Sequence, residues 1–180
     1  MLFAQSKIEA FMIYRVLQTG ALLFLLSQSV FATTLKFGSD IELLAVDGQQ
    51  LPSALFKSAD SLELSGGVHQ ILFRVEKMVP AAGPNQRMFT SVPLVVVFDV
   101  RDYTSINIKL PKLNNEHDVK AFEKNLSFDL LNNRGNNVDY KSDVLHVSQP
   151  LLANYEQAIQ RYNSSNATAA LPELIKKTSK

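Results

Sequence analysis

From residue 33 onward the apolar side chains fall repeatedly on every second position, and this period of two constrains the fold more than any other feature. Leu35, Phe37, Ile41 and Leu43 alternate with Lys36, Asp40 and Glu42. His69, Ile71, Phe73 and Val75 alternate with Gln70, Arg74 and Glu76, and Ile106, Ile108 and Leu110 repeat the pattern before Pro111. Successive side chains of an extended chain point to opposite faces, so each segment reads as a half-buried strand. Asp47-Gly48 supplies the two positive-φ residues of a tight hairpin turn. Residues 62–64 read as a short strand joined to the His69 strand by a Gly66-Gly67 hairpin, and 80–86, with Pro80, Gly83 and Pro84, as a loop. Residues 94–98 are continuously apolar and β-branched, the composition of a strand covered on both faces.

The last third changes character. Asn114-Asn115-Glu116 predicts the cap of a short helix carrying Val119, Ala121 and Phe122. Leu126, Phe128 and Leu130 read as a strand, 132–137 as an Asn-rich turn, and 138–147 as another strand. Pro150 opens a predicted helix whose Leu151, Leu152, Tyr155, Ile159 and Tyr162 share one stripe. Strands first and helices late predict a mainly β chain, a β-sandwich-like or α+β domain. The expected division is a leader over 1–32, a β-rich domain over 33–148, and a C-terminal helical segment over 149–180, packed on that domain or partly displayed.

The leader reading rests on "GALLFLLSQSVFATTLKF", residues 20–37. A membrane-spanning helix needs about 20 mostly apolar residues. Ser27, Gln28 and Ser29 interrupt the apolar run too early for that. Arg15, the apolar 16–26 segment, and Val30-Phe31-Ala32 have instead the order of a signal peptide, with cleavage expected after Ala32 to expose Thr33. Met12 is a more conventional start than Met1. Export to a periplasm follows, without a stable membrane anchor once the leader is cut.

Composition narrows the chemistry. Lys7, Arg15 and Glu9 precede residue 33, so of 18 basic and 17 acidic residues the remainder holds 16 of each. A neutral chain with interspersed signs lacks the basic face a nucleic acid requires. With no cysteine, disulfides and thiol chemistry are excluded, which fits a bacterial periplasm better than an animal secretory route. His69, His117 and His146 stand in different predicted elements without metal-ligand spacing, so no metal site is expected. There is no Gly-x-Ser-x-Gly elbow, Ser-x-x-Lys pair or phosphate-cradling glycine loop, and Ser65-Gly66-Gly67 reads as turn geometry. Asp40 and Glu42 are the one pair of carboxylates that alternation aims at a single face, as glycosidase acids would be, although a solvated strand face needs such residues anyway. Tyr103 and Phe89 beside Asp99 or Asp102 form a candidate sugar platform for an envelope carbohydrate-binding module. The residue chemistry favours a protein that is not an enzyme, has no catalytic residues and takes no cofactor. It would pair an edge strand with another exported protein.

The segments "VFATTLKFGSDIELLAVDGQQ", "SALFKSADSLELSGGVHQILFRVEK", "SVPLVVVFDV", "INIKLPKLNNEHDVKAFEKN" and "YEQAIQRYN", in this order, resemble an uncharacterised exported protein family of gamma-proteobacteria that includes the curli synthesis inhibitor. The resemblance runs from residue 12 to about 175 and is carried by structural motifs. It implies a signal peptide, a periplasmic protein without cofactor, and restraint of curli assembly through a curli-type subunit as partner. Relatives of this kind are expected to extend beyond the point matching Lys180.

Overall fold

The computed structural model describes residues 32–52, 59–81, 85–101, 103–148 and 153–176. The expected leader before Ala32, Asp102, and the expected helix start at Pro150, Leu151 and Leu152 lie outside the described residues.

Among the described residues, ten strands form two sheets. They are β1 (Thr33–Phe37), β2 (Ile41–Val46), β3 (Gln49–Gln50), β4 (Ser61–Leu64), β5 (Val68–Pro80), β6 (Gln86–Thr90), β7 (Leu94–Asp99), β8 (Ser105–Lys109), β9 (Asp129–Asn132) and β10 (Tyr140–Val144). The first sheet runs β4-β1-β8-β9, and the second runs β10-β7-β5-β2-β3 with β6 pairing the far half of β5. All these pairs are antiparallel except β1 with β8. Helices α1 (Glu116–Asn125) and α2 (Tyr155–Asn163) come late in the chain. The protein is therefore mainly β, with two sheets and two late helices, as the alternation predicts.

The two faces of the second sheet explain both kinds of strand pattern. Ile71, Phe73 and Val75 of β5, with Val96 and Phe98 of β7, face the first sheet and meet Leu35, Phe37, Ile106, Ile108 and Leu130 in the main core. Leu72 and Val95 face the other way, where Tyr155 and Ile159 of α2 cover them together with Leu44, Ala45, Leu145 and Ala169. A strand covered on both faces must be apolar throughout, which is why 94–98 show no alternation. Helix α1 closes the main core with Val119 and Phe122; Ala121, by contrast, is exposed.

Several local expectations are corrected. The alternating run 35–43 is two strands, separated by a turn at Ser39-Asp40 and placed in different sheets. The Gly66-Gly67 stretch is a crossing between sheets: β4 pairs β1, whereas β5 pairs β2 and β7. Leu126 ends α1 in the left-handed conformation (φ 46°) instead of starting a strand. Strand 138–147 shrinks to β10, and α2 begins at Tyr155 with Asn154 as its cap. In each case the alternation or stripe was real, but hydrogen-bonding partners decided where the element stopped. Pro80 is the last residue of β5 and Gln86 the first of β6, so both predicted loop ends are strand residues.

The Asp47-Gly48 turn forms as predicted, with φ 48° and 75°. Just before it, Leu44 is an extra residue, since Leu43 pairs Phe73 and Ala45 pairs Leu72. This bulge reverses the parity of the strand, so that Leu43 faces the main core and Ala45 the α2 side.

Candidate interaction surface

The residues predicted for chemistry are placed apart. Asp40 lies in the turn before β2 and is bound by Lys77 Nζ at 2.5 Å. Glu42, on the α2 side of the sheet, is bound by Arg74 Nε at 2.7 Å, and Arg74 also holds Glu76 at 2.7 Å. Burial pushes the Glu42 carboxyl upward, Arg74 pulls it back, and the neighbouring Glu76 raises it further. The two carboxylates thus serve separate cations and do not form a shared pair. Phe89 is 2% exposed and packs edge-on against Phe122 at 6.2 Å, so the sugar platform with Tyr103 does not assemble. Asp99 accepts from the backbone N–H of Arg101. Ala32 is exposed, and Thr33 begins β1 with its hydroxyl donating to the Tyr103 carbonyl. Among the described residues, no cluster of three His, Cys, Asp or Glu could hold a metal, and no helix is long and apolar enough to cross a membrane.

His69 carries the most constrained polar contacts. It is 5% exposed; Nδ1 faces Asp47 Oδ2 at 2.8 Å and Nε2 faces the Ser65 carbonyl at 2.7 Å. Asp47 Oδ1 accepts from the Gln70 N–H at 3.0 Å. Two acceptors require both ring nitrogens to carry protons. The hydrogen bond that His69 donates to Asp47 accordingly raises the His69 pKa, against the effect of burial, with the Ser65 carbonyl adding to it. This arrangement ties the β2–β3 turn to the crossing before β5. His117 and His146 are exposed.

The remaining question is which strand edges are open to another chain, because an unguarded edge templates pairing. Strand β9 is covered, since Val138 N–H donates to Leu130 O and Leu131 bridges Asn137. Strand β3 has two residues, and Gln50 accepts from the first N–H groups of α2. Strand β4 has four, with Glu63 accepting a hydrogen bond from Thr34. On β10, Leu145 N–H bonds Pro93 O, so by antiparallel alternation Tyr140, Ser142 and Val144 face outward. That edge is blunted, however: Asp143 accepts from the Val144 N–H at 2.8 Å and from the Tyr162 hydroxyl at 2.8 Å. Burial and the bond to Asp143 push the Tyr162 hydroxyl up to about 12.

Strand β6 is different. The bonds Ala81 N–H to Asn85 O and Ser91 N–H to Val75 O bracket its pairing with β5. Alternation then turns the backbone groups of Gln86, Met88 and Thr90 away from β5. The only charged residue of the strand, Arg87, is drawn toward α1 by a two-pronged pairing with Glu116 at 2.5 and 2.9 Å. On the face opposite Phe89, Met88 stands directly across from Met78. Met78 is 49% and Met88 54% exposed; Val92, 47% exposed, follows just beyond Thr90. Three of the four large apolar side chains exposed among the described residues thus gather along one ribbon. At its root opens a cleft of about 610 Å³ walled by Arg74, Glu76, Val92 and residues 145–148. Residue reading named edge pairing but not this edge. The signal was present: Met78 falls on the polar parity of β5, and 86–90 hold one charge.

Comparison with known proteins places these features in a family. Residues 34–180 match the family described as "Uncharacterized protein conserved in bacteria (DUF2057)", and the chain belongs to it. It is 38% identical over 146 residues to the UPF0319 protein YccT of Shigella flexneri and, over the same length, to YccT of Escherichia coli K12. It is 40% identical over 144 residues to a UPF0319 protein of Enterobacter sp. strain 638. These alignments take in 81%, 81% and 79% of this chain and 66% of each relative, so the chain spans less than two thirds of their length. No solved structure matches it.

Proposed function

We propose that this member of the DUF2057 family is a non-enzymatic binding protein of the bacterial envelope that pairs the edge of β6 with a strand of another exported polypeptide. The occupant that the family resemblance favours is a curli-type subunit, whose fibre growth the protein would restrain by capping. The observation that carries the reading is the β6 edge, unguarded among the described residues, with outward backbone groups at Gln86, Met88 and Thr90 beside the apolar Met78, Met88 and Val92. Main-chain hydrogen bonds would supply affinity, and the apolar side chains would add burial at the seam. The leader ending at Ala32 supports a periplasmic location, and N-terminal sequencing of the exported form should begin at Thr33.

The test is fibril growth of a curli-type subunit followed by dye fluorescence. Purified protein at equimolar or lower amounts should lengthen the lag. Met88→Lys, which places a charge at the centre of the edge, should remove most of that delay while leaving the melting temperature in place. An unchanged lag at excess protein rejects the curli role. An equal delay from Met88→Lys moves the contact off β6.

A further inference from the structure

The chain contains four methionines and no cysteine, and two of the methionines, Met1 and Met12, lie in the leader segment. Beyond residue 32, Met78 and Met88 are therefore its only sulfur atoms. Both are about half exposed, and they are direct cross-strand partners. The bracketing backbone bonds make theirs a non-hydrogen-bonded pair, the kind in which Cβ atoms approach to about 4.5–5.5 Å. Every sulfur of the folded body is thus held at one solvent-facing spot on the edge strand and its neighbour.

We propose that Met78 and Met88 form an oxidation site for two-electron oxidants of the hypochlorous acid class, and that their conversion to sulfoxides switches off docking at β6. In the net reaction each thioether sulfur gives an electron pair to form a new S–O bond. The O–Cl bond breaks, chloride leaves with its bonding electrons, and the proton of the acid passes to water. Sulfur is oxidised by two electrons and chlorine reduced by two. The product replaces an apolar group with a strong S=O dipole, which strips the ribbon of its hydrophobic seam. Neither side chain is in the core, so the fold survives the change. Methionine sulfoxide reductases reverse it. The docking consequence rests on the reading of β6 as the contact edge, whereas the site of oxidation does not.

The purified protein is treated with hypochlorous acid at one equivalent per methionine, quenched, desalted and mapped by peptide mass spectrometry. One added oxygen is expected at each of Met78 and Met88, ahead of chlorination at any tyrosine, with an unchanged melting temperature. A Met78→Leu/Met88→Leu chain should take up no oxygen beyond residue 32. Tyrosine chlorination preceding sulfoxide, or unfolding that accompanies oxygen uptake, overturns the site. The doubly oxidised protein is then compared with the reduced protein in the fibril assay. Its lag extension should fall at least several-fold and return after methionine sulfoxide reductase treatment. A full lag extension by verified double sulfoxide overturns the switch. If the reduced protein never extends the lag, the docking reading and the switch built on it both fail, while the peptide map still decides the oxidation site.

Discussion

At the scale of single residues, His69 and Gly48 show how much depends on one turn. With Asp47 and the Ser65 carbonyl both accepting from the ring, His69 is held as the cation, and its pKa in the fold is raised above the ordinary value of about 6.5. A raised pKa means that the folded form binds the proton more tightly than the unfolded chain. This contribution to stability is complete below about pH 6.5 and is lost as pH rises through the folded value. The difference in melting temperature between the native chain and His69→Gln should therefore be widest in mild acid and close toward alkaline pH. His69→Ala, which removes the donor to Asp47 Oδ2 and to the Ser65 carbonyl, should cost about 1–3 kcal/mol by urea unfolding at mild acid pH. At Gly48, φ is +75° and an added Cβ would come to 3.0 Å from Gln160 Nε2 and 3.3 Å from the Leu174 carbonyl. The sequence announced the turn through Asp47-Gly48. It did not announce His69 as the anchor of that turn, because Ser65 lies across an inter-sheet crossing that alternation cannot reveal.

At the scale of elements, α2 is fastened by polar bonds as well as by Tyr155 and Ile159. Asn154 and Gln50 cap its start, and Gln160 reaches the carbonyls of Gly48 and Leu174. At its end, Asn163 and Gln70, both fully buried, exchange amide hydrogen bonds at 2.7 and 2.9 Å. Gln70→Leu removes the acceptor of the Asn163 amide N–H and the donor to the Ala169 carbonyl, and should cost about 1–3 kcal/mol in thermal or urea unfolding. The edge of β6 makes a separate prediction. In hydrogen exchange, the Arg87 and Phe89 amides, which face β5, should be protected, and the Met88 amide should exchange rapidly until a partner strand is added. The stripe of α2 was legible in Tyr155, Ile159 and Tyr162. Its polar fastening was not, because Gln70 and Asn163 are far apart in the chain.

At the scale of the whole molecule, one aromatic line joins the layers. Phe73 of β5 meets Phe128 edge-on at 5.4 Å, and Phe128 stacks on Tyr140 of β10 at 4.8 Å. The Tyr140 hydroxyl donates to the Phe128 carbonyl, so the segment entering β9 in one sheet is tied to β10 in the other. Phe73→Ala should therefore loosen both sheets together and cost about 3–5 kcal/mol in a single cooperative transition, read by circular dichroism. Separate melting of the two sheets would contradict this shared core.

The amino-acid order by itself determined the period of two, the Asp47-Gly48 turn, the Asn115 cap, the doubly covered strand at 94–98 and the lateness of the helices. All of these depend on contacts within a few residues or on the burial demanded of one face. Tertiary structure alone decided that β1 and β2 part into different sheets, that β4 turns away from β5, and that Met78 and Met88 stand side by side at an open edge. Backbone hydrogen bonds are the same for every strand, so the choice of partner is made by long-range packing of side chains that the chain brings together only once folded.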